Sequence, residues 1–115
     1  MYQVVELGDK KVPMRASAAT PVFYKNIFQE DVLRCFNDPD APTEWIARLA
    51  YIMAKQGEGA DMKLLNEDDF VAWLDTFDAL DIFGVSENNK VIELFGKQQK
   101  TTVEEKKRPA PPKEK

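Results

Sequence analysis

Histidine is absent from this chain, and cysteine occurs once, as Cys35. The first absence removes the commonest general base and the commonest transition-metal ligand, and with them any histidine-assisted serine or cysteine nucleophile. A lone cysteine excludes an internal disulfide and any multi-thiolate metal site. Glycine is scarce too: the five residues Gly8, Gly57, Gly59, Gly84 and Gly96 stand singly at the ends of predicted elements, so no glycine-rich phosphate loop is present. No run approaches the roughly 18 consecutive apolar residues of a membrane span, and the opening MYQVVELGDKK has no basic segment followed by an apolar one. These absences lead us to expect a soluble cytosolic protein that is not an enzyme, uses no cofactor and enters no membrane.

What is present points to one folded unit. With 115 residues, 43% of them hydrophobic and 10% aromatic, the chain suffices for a single modest core. Charge divides at Gly96. Residues 97–115 hold seven of the 16 basic and three of the 20 acidic residues, which leaves nine basic against seventeen acidic in the first 96. The expected organisation is thus an acidic domain over 1–96 followed by a disordered Lys/Pro-rich tail over 97–115. An acidic body does not neutralise phosphates, so nucleic acid is not an expected partner.

The segments YQVVEL and KVPMRA flank Gly8-Asp9 and predict a β-hairpin, with Pro13 confining the second strand to an edge. Thr20-Pro21 predicts a helix start. Tyr24, Phe28, Val32, Cys35 and Phe36 then share an arc, with a kink expected near Gln29–Asp31 because Ile27 and Leu33 fall off it. After DPDAP, Thr43 should cap a helix running to Gln56, with Trp45, Ile46, Leu49, Ile52 and Met53 as its apolar stripe and Gly57 as its stop. Asn66 and Asp69 have the spacing of a capping box. A last helix, capped by Ser86, should turn Val91, Ile92, Leu94 and Phe95 inward and end at Gly96. The predicted class is α+β, an N-terminal hairpin packed on three to four helices.

The stretch DDFVAWLDTFDALDIF, Asp68 to Phe83, alternates carboxylates with large apolar groups. On one continuous helix, Phe70, Trp73, Leu74, Phe77 and Leu80 share an apolar arc while Asp68, Asp75 and Asp78 point away. Asp81 would fall inside that arc, so the helix should end or bend near Ala79–Asp81. The aspartates fit a solvated face better than a metal site. DPDAPTEW lacks the central glycine and the twelfth-position glutamate of a calcium loop. Trp45, Trp73 and Phe77 fit either a core or an exposed patch that holds a partner.

Taken in order, KKVPMRASAATPVFYKNIFQEDVLRCF, IARLAYIMAKQ, DFVAWLDTFDALDIF and VIELFGKQQKTT resemble the tail assembly chaperones of long non-contractile-tailed phages and prophages of Gram-positive bacteria. The likeness covers about residues 10–102. It implies a small non-enzymatic protein of the host cytoplasm, absent from the finished virion, that binds the tape measure protein. That partner is a long, largely helical chain with apolar faces, kept soluble while tube subunits polymerise around it. It also implies that tail tube protein is recruited through a longer, frameshifted form. The family has no catalytic motif to transfer.

Together these readings place a partner-binding surface at Tyr51, Phe70, Trp73, Phe77, Ile82 and Phe83, rimmed by acidic side chains. An edge strand and an aromatic helix also make self-association conceivable. The alternative reading is a small acidic adaptor or regulator, for instance a nucleic-acid mimic. A two-carboxylate hydrolase is a third, requiring two carboxyl groups roughly 5–10 Å apart in a concave pocket.

Overall fold

A computed structural model describes residues 2–107 of the protein, with side chains through Lys97. Strand β1 (Tyr2–Leu7) and strand β2 (Lys10–Arg15) form an antiparallel hairpin closed by Gly8-Asp9, in the register Leu7↔Lys10, Val5↔Val12 and Gln3↔Met14. Gly8 adopts φ 64°, the left-handed conformation that a tight turn requires. Period-two alternation buries Val5, Leu7 and Met14 on one face and leaves Tyr2, Val4 and Pro13 in solvent on the other. The fold is α+β: this hairpin is followed, among the described residues, by six α-helices and one 3-10 turn.

Helix α1 (Thr20–Phe28) stops where the kink was expected. Gln29 turns left-handed at φ 56°, and the Asp31 carboxylate accepts from the Leu33 amide at 3.0 Å to open α2 (Val32–Phe36). Thr20 is the first helical residue rather than the cap. Its hydroxyl accepts from the Ser17 amide at 2.9 Å and donates to Gln56 at 2.7 Å, pinning α1 to the far end of α3 (Glu44–Gly57).

Helix α3 is the central element. Beyond the predicted stripe, Ala47, Ala50, Tyr51 and Ala54 are buried as well, so α3 is covered on most of its circumference. Gly57 does not stop it; the helix includes Gly57, and the reason for glycine is close packing. A Cβ there would lie 2.6 Å from the Pro13 carbonyl carbon and 2.9 Å from the Met14 Cα, both backbone atoms of β2. Thr43 occupies the cap position, but its side chain makes no capping bond.

The chain then passes a 3-10 turn (Met62–Leu64) into α4 (Glu67–Leu74), α5 (Ala79–Phe83) and α6 (Val85–Lys107). Helix α6 starts one residue ahead of Ser86 and its backbone continues through Gly96. There the missing Cβ admits the Phe36 ring, whose Cζ would lie 3.3 Å from it. The expected tail therefore begins on α6, and its last residues, 108–115, lie outside the described residues. Val91, Leu94 and Phe95 close the core from this helix.

Candidate interaction surface

The apolar and acidic residues of the 64–85 segment are positioned by two short helices and the break between them. Asn66 caps α4, its side-chain oxygen accepting from the Asp69 amide at 2.8 Å. Asp69 does not complete a capping box; its carboxylate accepts instead from the Tyr51 hydroxyl at 2.5 Å. Burial pushes the Tyr51 phenol well above its ordinary range, and the Asp69 carboxylate beside it acts in the same direction. Tyr24 behaves alike: burial, then its 2.5 Å hydrogen bond to Glu30, raises the phenol strongly. Glu30 also pairs with Arg48 at 3.3 Å.

The aromatic residues form a series running from the core to the surface. Ring centroids lie 5.2 Å apart for Tyr24–Phe28, 5.1 Å for Phe28–Phe70, 5.4 Å for Phe70–Tyr51, 5.7 Å for Tyr51–Trp73 and 4.8 Å for Trp73–Phe77. These tilted and edge-to-face contacts are the arrangement that ring quadrupoles favour. The outer end is covered by Lys10, whose ammonium sits 4.6 Å from the Phe77 centroid and donates to the Thr76 carbonyl.

This arrangement corrects half of the expected contact surface. Tyr51, Phe70 and Ile82 are buried and belong to the core, Trp73 and Phe77 are half-buried, and Phe83 is exposed. Tyr51 and Phe70 are covered by packing against Phe28 and each other, and the position of the helix break decides the residues that follow Leu74. Helix α4 ends at Leu74 with Asp75 at its C-cap, several residues before the break predicted from Asp81. Asp81 is accommodated without entering an apolar layer: its carboxylate accepts from the Asp78 amide at 3.3 Å and rests against Gly8, where a Cβ would collide with it. Restarting the helix at Ala79 resets the phase, and Leu80, expected on the inner arc, is instead 77% exposed.

The exposed apolar residues are therefore partly others. Leu64, Val71, Leu80, Phe83 and Val85 are 74%, 60%, 77%, 40% and 78% exposed, and all lie within one 22-residue segment. Leu80 and Phe83, three apart on α5, share a helical face, with Val85 following directly at the start of α6. Sequence reasoning missed Leu64, Val71, Leu80 and Val85 as surface. The signal that would have found Leu80 is the Asp78–Asp81 spacing, itself a helix-start pattern.

Elsewhere, a shallow depression is lined by Glu30, Asp31, Arg34, Cys35, Asp38 and Pro42 among others. Burial, then Glu30, raises the Cys35 thiol, which keeps it in its less reactive protonated form. Among the described residues no group of three His, Cys, Asp or Glu side chains is placed to hold a metal ion, and no helix is long and apolar enough to cross a membrane. No family model matches the chain, and neither a curated protein nor a solved structure is detectably similar to it.

Proposed function

We propose that the protein is a holding chaperone of phage tail assembly, binding the tape measure protein and keeping it soluble in the host cytoplasm while the tail tube polymerises. A longer, frameshifted form would bring the tube subunits. One observation carries the reading: Leu80, Phe83 and Val85 stand in solvent, next to a core already closed by Tyr51, Phe70, Ile82 and Phe95. Exposed apolar groups clustered beside a finished core contribute nothing to folding and suit contact with another polypeptide. Net charge −4 keeps such a surface, and a client held on it, in solution. The resemblance to the tail chaperones supplies the identity of the client.

Co-expression with a tape measure fragment tests this reading. Wild-type protein should raise the soluble fraction of the fragment, and the triple variant Leu80→Asp, Phe83→Asp, Val85→Asp should not. Equal rescue by the triple variant, folded by circular dichroism, would remove this surface from the mechanism.

A further inference from the structure

We infer that the α5 face selects a particular client chemistry: an amphipathic helix whose apolar stripe is bordered by lysine or arginine. The inference rests on the holding role proposed above and adds charge selectivity to it. Between Leu64 and Val85 stand six acidic residues and no basic one. Asp69 is committed to Tyr51, and Asp81 to the Asp78 amide. Glu67, Asp68, Asp75 and Asp78 remain exposed, and no ion pair among the described residues reaches them.

Folding accounts for three of these four. Glu67 and Asp68 lie in the first turn of α4 and Asp78 at the N-cap of α5, where the partial positive charge of a helix end favours a carboxylate. Asp75 is different. It occupies the C-cap of α4, the negative end, where a carboxylate is disfavoured. A residue that opposes its own helix, within the segment that carries the exposed apolar groups, is better explained by what binds there.

Lys10 reaches across from the hairpin to lay its ammonium on the Phe77 ring and the Thr76 carbonyl. Asp75 and Asp78 have no ion-pair partner among the described residues. Leu80 and Phe83, one helical turn apart, match the spacing of apolar groups along a facing helix. A client with basic flanks would place its apolar stripe on Leu80, Phe83 and Val85 and its cations on the acidic rim.

The test uses the full chain and four labelled helical peptides, read by fluorescence anisotropy at low and high salt. Three share one leucine stripe flanked by lysine, glutamine or glutamate; the fourth keeps the lysines and replaces the leucines with serine. The lysine-flanked leucine peptide should bind about tenfold more tightly than the glutamine one at low salt, the sum of a few exposed ion pairs, with the gap closing at high salt. Asp75→Asn should weaken the lysine-flanked peptide about threefold, leave the glutamine peptide unchanged, and leave thermal stability equal or higher. Equal binding of the lysine- and glutamine-flanked peptides at low salt overturns the charge selectivity while leaving the holding role intact. Tight binding of the serine peptide overturns both, because it makes the surface a purely electrostatic adaptor. Binding of none of the four overturns the inference, and the co-expression experiment then decides the holding role separately.

Discussion

Around α1 and α3, polar groups at the edge of the core are paired: Tyr24 donates to Glu30, Glu30 holds Arg48, and Thr20 and Gln56 close on one another. Across residues 64–85 the same kinds of side chain are left with spare capacity. Three large apolar groups at α5 and the start of α6 face water, and four carboxylates have no described cation. Burial drives folding and unpaired buried charge opposes it, and the pairing around α1 and α3 meets both requirements. The second region gives Phe70 and Ile82 to the core, while Leu80, Phe83 and Val85 stay exposed; contact with a partner is the proposed reason for that exposure.

The contrast breaks most visibly at Phe70, which belongs to the 64–85 segment by position and to the core by packing. Phe70→Ala should cost about 3–5 kcal/mol in urea unfolding, like any core aromatic; a loss below about 1 kcal/mol would return it to the surface. Next is Gly57→Ala, where the added methyl meets β2 backbone that cannot rotate away. A loss of about 1–3 kcal/mol is expected from overpacking, although alanine is the better helix former.

The paired phenols sharpen the comparison through pH. Tyr24 and Tyr51 have folded-state values raised above the ordinary 10.0, so the unfolded chain loses these protons first. Stability from them is complete below about pH 10 and declines as pH rises above it, by about 1.4 kcal/mol per pH unit for each phenol. Chemical denaturation across alkaline pH checks the sign, and Tyr51→Phe should flatten the decline. Smallest of all, Leu80→Asp and Val85→Asp, at positions 77% and 78% exposed, should each change stability by no more than about 0.5 kcal/mol, as substitutions on solvent-facing positions do. A larger loss at either would mean that this surface is sealed, and the comparison between the two regions would collapse.

Much of the architecture was legible because its signals are local. Gly8-Asp9 between alternating segments specified the hairpin, DPDAP separated α2 from α3, and the apolar phase mismatch of Ile27 and Leu33 marked the break that Gln29 and Asp31 make. The exposed apolar surface was legible only in part. Acidic and apolar residues of the 64–85 segment were recognised as a unit, and Phe83 is indeed exposed. Tyr51, Phe70 and Ile82 were grouped with it because apolar period does not report which element covers a side chain, and Leu80 was placed inward because one helical phase was carried across Asp75–Asp78, where the chain turns. Glycines misled in the same manner: Gly57 and Gly96 read as helix stops, yet each exists to let a neighbour approach, β2 in one case and Phe36 in the other.

Element type, the hairpin turn and the acidic, apolar character of the 64–85 segment were written in the chain, because dihedral preference and side-chain period act between near neighbours. Which aromatics were sealed and which apolar groups stayed wet depended on contacts between distant residues, among them Tyr51 with Asp69, Asp81 with Gly8, and Lys10 with Phe77. Burial is a property of the packed whole, since a side chain is covered only when another element lies over it, and no period within one segment reports that.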